Sequence, residues 1–197
     1  MDIITRAKNM ITTPKTEWDV VAAEQPVVNS IIMGYVLPLT LIGAVAAFIG
    51  YGFIGFGLLG AGISWGIYYA ITKLVLGIVS VFVTALVVDA LAPSFGSEKN
   101  FGRSVQLVAY GATPGLLAAI FSILPMIAGL LSVAGGIYSI YLWYLGIGPL
   151  KKTPEDKKVV YLIVIFVILI VVYMIIGAIL GMILMPIFGL GYGSFHL

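Results

Sequence analysis

VVYLIVIFVILIVVYMII, residues 159–176, decides the fold. Rich in β-branched residues, this run would pass in water for a buried strand. It continues to residue 186 without a charge and shows no period-two alternation. About 20 apolar residues at 1.5 Å rise cross a bilayer core as a helix, whereas a lone strand leaves its backbone unpaired in lipid. The run therefore reads as a transmembrane helix.

The rest of the chain follows the same pattern. Asp, Glu, Lys and Arg are missing from residues 25–72, 74–88, 104–150 and 159–197. Over 197 residues, 61% are hydrophobic and 9% charged, with a mean hydropathy of +1.17. Soluble domains carry about 25% charged residues, so this chain cannot cover a water-facing surface. The composition excludes a nucleic-acid binder, a disordered tail and a disulfide scaffold. There is no cysteine and one histidine, His196, so neither a thiolate nucleophile nor a Cys- or His-based metal site is expected.

Five spans are predicted, at about 30–51, 63–91, 104–123, 125–147 and 159–186. Glycines 52, 55, 57, 60 and 62 mark the first turn, and Pro125 divides the long uncharged run into a hairpin. Residues 1–29 are expected to form an amphipathic cytoplasmic N-terminal segment, residues 30–187 the transmembrane domain and residues 188–197 a short extracytoplasmic tail. All Lys and Arg except Lys73 fall in the N-terminal segment, the 92–103 loop or the 148–158 loop. The positive-inside rule then places the N-terminus in the cytoplasm and the C-terminus outside, as a multi-pass protein of the cell (inner) membrane. No apolar core directly follows Arg6 and Lys8, so a cleavable signal peptide is not predicted. The expected fold is an all-α, five-helix transmembrane bundle with a short amphipathic cytoplasmic N-terminal helix.

Ile3, Ile4, Ala7, Met10 and Ile11 share one face of that helix, opposite Arg6, Lys8 and Asn9. Such a helix lies in the headgroup layer or on the cytoplasmic face of the bundle. Thr13 as cap and Pro14 at the first position restart a helix that carries Trp18, an aromatic suited to the interface. This segment reads as an anchoring collar or as a docking surface. Similarly, Thr153 and Pro154 read as the start of the helix after the basic loop.

Polar residues inside spans are candidate functional groups, because an ionisable one costs at least about 2.5 kcal/mol at mid-bilayer. Lys73 and Asp89 qualify; sixteen residues apart, they lie about 24 Å apart along a helix and cannot pair within it. Asp89 reaches the cytoplasmic headgroups, and Lys73 either snorkels or faces a polar cavity. Tyr110-Gly-Ala-Thr113-Pro114 predicts a kink, with Thr113 available to the carbonyl that Pro114 frees. Tyr138, Tyr141, Trp143 and Tyr144 read as an aromatic belt. Arg6, Lys8, Trp18, Lys151, Lys152, Lys157 and Lys158 are the candidate contacts for anionic headgroups or a partner. No catalytic constellation and no cofactor motif is present in the sequence.

Three segments carry a family resemblance: ITTPKTEWDVVAAEQP (11–26) leading into YVLPL (35–39), YGATPGLLAAIFSILP (110–125), and GGIYSIYLWYLGIGPLKKTPEDKKVVYLIV (135–164). In their order and in the five-span layout, the chain resembles the Yip family of integral membrane proteins, named for Ypt/Rab interaction. The resemblance implies a non-enzymatic membrane protein without catalytic residues. Eukaryotic members bind Rab GTPases in membrane trafficking through an extended cytosolic region. Here the segment before the first span is only about thirty residues long, like the compact prokaryotic-type members, so Rab binding is not carried over.

Two functional readings remain open. One is a Yip-like protein organising protein partners or lipids at the cytoplasmic face, with a homodimer as one possible assembly. The other is a small transporter, channel or lipid-translocating protein using Lys73, Asp89 and the kink at Thr113-Pro114.

Overall fold

The computed structural model describes residues 2–55 and 62–190, and every regular element among them is helical. Residues 56–61 of the glycine turn, most of the tail and His196 lie outside the described residues. Four helical stretches are long and apolar enough to cross a membrane: Val28–Ile54, Ile63–Phe95, Pro125–Lys151 and Glu155–Ile187. A bent pair, Phe101–Gly111 with Thr113–Ile123, passes the same test as one unit and makes a fifth.

The chain opens with two short helices, α1 (Ile3–Thr12) and α2 (Pro14–Ala23). Asp2 caps α1 by accepting from the Thr5 amide at 3.2 Å. Thr13 does not cap α2 as expected. Its hydroxyl donates backwards to Asn9 O, and Pro14 alone sets the start of the helix. The apolar faces of both helices are buried against the bundle: Met10 and Val21 are fully enclosed, as is Trp18 at 1% exposure. Trp18 is thus a core residue rather than an interfacial one. It lies over Gly146, where an added Cβ would stand 2.6 Å from the indole.

The first span combines α3 (Val28–Ile31), a π turn at Ile32–Val36, α4 (Leu37–Ile49) and a second π turn at Gly50–Ile54. The first π turn precedes Pro38, which lacks an N–H and crowds the carbonyl four residues back; widening the turn relieves that clash. Next comes α5 (Ile63–Leu91), extended by a 3-10 turn and closed by Gly96 in the left-handed region at φ 66°.

Helix α6 (Phe101–Gly111), capped by Asn100, occupies the centre of the fold, with Ser104–Gly111 buried throughout. It meets α7 (Thr113–Ala118) at 40°. The last two spans are α8 (Pro125–Lys151) and α9 (Lys158–Ile187). α8 runs on through Gly148 and Pro149 and ends when Lys152 turns left-handed at φ 51°, so the basic loop is shorter than expected. Thr153 does not cap the turn that leads into α9. Its hydroxyl donates to Ile147 O and meets Ser97 Oγ at 2.9 Å, tying the two basic loops together.

Side chains sort the molecule into two ends. Every charged residue except Lys73 belongs to the end formed by α1, α2, the 92–103 segment and the 151–158 segment, or lies at its border; this is the basic end. The opposite end packs backbone on backbone: an added Cβ would stand 2.0 Å from Ser122 O at Gly50 and 2.7 Å from Phe48 O at Gly66. Large exposed apolar side chains cover the outer faces of α8 and α9, from Met126 to Ile137 and from Val159 to Ile187. In a bilayer these faces meet lipid.

Candidate functional site at the basic end

Two buried ionic clusters organise the basic end. The first is centred on Arg6, only 4% exposed although it lies on the polar side of the α1 pattern. Its Nη1 donates to Glu17 Oε1 at 2.6 Å, and its Nη2 donates to Glu24. Asn9 Nδ2 holds the other Glu17 oxygen at 2.9 Å. The guanidinium also stands 5.0 Å from the centroid of the Tyr110 ring, a cation–π distance. One arginine thereby fastens α1 to α2 and both to α6. Tyr138, on α8, adds a further tie by donating to Ile11 O at 2.7 Å.

Beside Arg6 lies a cavity of about 420 Å³ whose polar wall includes Glu24, Gln25, Ser30, Gln106 and Tyr110. Tyr35 closes it from the first span, its ring edge-on to Tyr110 at 5.0 Å between centroids. The Tyr35 hydroxyl bonds Thr113 Oγ1 at 2.6 Å, and Thr113 donates on to Tyr110 O. Tyr110 O is the carbonyl that Pro114 would otherwise leave unpaired, so Thr113 repairs the kink and joins it to the cavity wall. Arg103 bridges the same region, donating to Val21 O at 3.1 Å and Gln106 Oε1 at 2.9 Å.

The second cluster is centred on Lys151, which is fully buried. Its ammonium donates to Asp89 Oδ1 at 2.9 Å, Ser104 Oγ at 2.8 Å and Asn100 O at 3.1 Å. Those three acceptors satisfy all three of its donors. Asp89 Oδ1 also accepts from the Asn100 amide and from Ser104 Oγ. Asp89 thereby closes a junction of α5, α6 and α8. The Tyr161 hydroxyl, which donates to Val88 O, brings α9 to the same junction, with the Tyr161 ring stacked on Phe95 at 4.6 Å.

The residues expected at the lipid or partner boundary divide into two groups. Lys8, Lys152 and Lys157 are exposed, as are Lys15 and Lys99. Arg6, Trp18, Lys151 and Lys158 are buried, the last paired with Glu155 and facing the Tyr144 ring. Lys152 meets Glu98 at 3.0 Å in an open pair. Of the in-membrane candidates, the structure joins Tyr110, Thr113 and Pro114 at the kink and gives Asp89 to Lys151. Lys73 stands apart, half-buried beside a different cavity. Glu17, Glu24, Asn100, Ser104 and Tyr35 complete these clusters and were not singled out from sequence. Nothing in their spacing announces partners 11 to 78 positions away.

Four long apolar helices and a bent pair that passes as a fifth, a helical pair fastened beneath them and every charge but Lys73 gathered at one end define a polytopic helical membrane protein. The model of the Yip1 domain matches residues 8–176, from within α1 to the middle of α9. The chain belongs to the Yip1 family. No curated protein and no solved structure matches it.

Proposed function

We propose that this Yip1-family protein is a non-enzymatic organiser of lipids or protein partners at the cytoplasmic face of the inner membrane. The observation that carries this reading is the sorting of charge at the basic end. The buried cations are consumed by internal carboxylates, while Lys8, Lys15, Lys152 and Lys157 remain outward. Basic side chains next to a membrane attract anionic lipids by about 1 kcal/mol each. With the N-terminus inside, all of them face the leaflet rich in such lipids.

The test is affinity purification from native membranes after mild crosslinking, with lipids and proteins both quantified by mass spectrometry. Replacing Lys8, Lys15, Lys152 and Lys157 together by Gln is expected to strip the enriched anionic lipid or the stoichiometric partner. Unchanged recovery would sink the electrostatic reading.

One observation favours the alternative, a small transporter, channel or lipid-translocating protein: Lys73 borders a cavity of about 670 Å³ rather than pointing only into lipid. Loss of translocation of a fluorescent lipid in proteoliposomes on Lys73→Gln would support that reading.

A further inference from the structure

Among the described residues Lys73 has no electrostatic counterpart. It lies ten residues into α5, about 15 Å along the axis from Ile63. No Asp or Glu occurs in residues 25–88, 104–150 or 159–197, and among the described residues Lys73 makes no ion pair. A half-buried ammonium inside a span is costly unless something anionic accompanies it.

The cavity next to it lies between α5, α7 and α9 and measures about 670 Å³. Its polar wall consists of hydroxyls and this one ammonium. Ser80 and Tyr173 are already engaged, Ser80 with Gly77 O and Tyr173 with Ser80 O and Thr84. The remaining hydroxyls belong to Tyr51, Tyr69 and Thr72. The Tyr51 and Tyr69 rings stack at 3.8 Å between centroids, holding two phenols on one side. Thr72 Oγ1 is buried and has no hydrogen-bond partner among the described residues. Leu76, Leu116 and Ala119 supply apolar wall.

A donor-rich spot containing one positive charge calls for an anion. An apolar wall of Leu76, Leu116 and Ala119 inside an apolar span calls for a hydrocarbon attached to it. A small hydrated anion satisfies the first requirement and fails the second. We propose that this cavity binds an anionic amphiphile, with its phosphate or carboxylate head on Lys73, Thr72 and the tyrosine hydroxyls and its acyl chain along Leu76 and Leu116. This assignment is independent of the lysines at the basic end.

The experiment uses the full chain in phosphatidylcholine nanodiscs with three photoactivatable probes: palmitate, phosphatidylglycerol and phosphatidylcholine, each with a diazirine in the acyl chain. Labelled peptides are mapped by mass spectrometry. At least one anionic probe is expected to label residues 69–80 or 115–119 well above the phosphatidylcholine probe. Lys73→Gln should lower that labelling about tenfold or more, as expected for loss of a hydrogen bond to a charged group. Lys73→Arg should retain most of it, and Leu76→Trp should lower it with the charge intact, so the result does not depend on one variant folding. Labelling by palmitate alone identifies a free carboxylate as the ligand head, and labelling by phosphatidylglycerol alone identifies a lipid phosphate. Equal labelling by phosphatidylcholine, or labelling indifferent to both Lys73→Gln and Leu76→Trp, would overturn the proposal.

Discussion

The basic end and the half of the bundle around Lys73 treat buried positive charge in opposite ways. At the basic end Arg6 meets Glu17 and Glu24, and Lys151 meets Asp89, with further hydrogen bonds that leave no donor of the ammonium idle. Near the other end Lys73 faces hydroxyls and hydrocarbon without a carboxylate. Inside a low-dielectric bundle a matched cation acts as a fastener and an unmatched one is available to something else. Burial alone therefore does not mark a functional lysine; the company it keeps does.

Unmatching a matched cation should disturb this contrast most severely. Asp89→Ala leaves Lys151 enclosed without its counter-charge, which should cost about 3–5 kcal/mol. Steric-trapping or denaturant measurements of the reconstituted chain would show it. The double variant Asp89→Leu with Lys151→Met should recover much of that loss. If the single variant matched the wild type, the junction of α5, α6 and α8 would not depend on the pair.

Arg6→Gln is expected to have the next largest effect, and a local one. It frees α1 and α2 while leaving the spans assembled, because Glu17 and Glu24 lose their common partner. Hydrogen exchange should accelerate at residues 3–23 by about tenfold or more, on the scale of a lost charge-assisted hydrogen bond, while amides of α6 stay protected. Uniform acceleration would mean that Arg6 supports the whole bundle.

Thr113→Val tests the neutral part of the site. It removes the donor to Tyr110 O and the partner of the Tyr35 hydroxyl at nearly constant volume. A destabilisation of about 1–3 kcal/mol is expected from groups left unpaired. The smallest expected effect is that of Lys8, Lys15, Lys152 and Lys157 replaced together by Gln. Stability should change by no more than about 0.5 kcal/mol per site, as for surface substitutions, even as associated anionic lipid is lost.

The spans were legible in the sequence because length and the absence of charge are sufficient in a bilayer: a 30-residue helix such as α9 declares itself without partners. The kink was legible for a local reason, since the proline, the freed carbonyl and the repairing threonine lie within five positions. The site was less legible. Lys151 and Lys152 are neighbours in sequence, yet one is enclosed and the other open, and the difference rests on whether the helix turns left-handed between them. Gly148-Pro149 resembles a helix end. The helix nevertheless persists past it, because the bonds of Lys151 to Asp89, Asn100 and Ser104 hold the last turn in place. Arg6 sits on the polar side of a short amphipathic pattern and is buried between Glu17, Glu24 and the Tyr110 ring, partners the local pattern does not announce. Tyr138 is one of four clustered aromatics that read as a belt, but its hydroxyl serves Ile11 O, 127 positions away.

All of these roles require the basic end to lie on one side of the membrane and the glycine-packed end on the other. The absence of cysteine makes that directly measurable. Single cysteines at Lys8 and Lys152, exposed at the basic end, and at Ile63 and Leu124, exposed at the opposite end, can be challenged with a membrane-impermeant maleimide in intact cells. The account predicts that Ile63→Cys and Leu124→Cys label in intact cells, and that Lys8→Cys and Lys152→Cys label only after permeabilisation. Labelling of Lys8→Cys and Lys152→Cys from outside, or of positions at both ends from the same side, would contradict it.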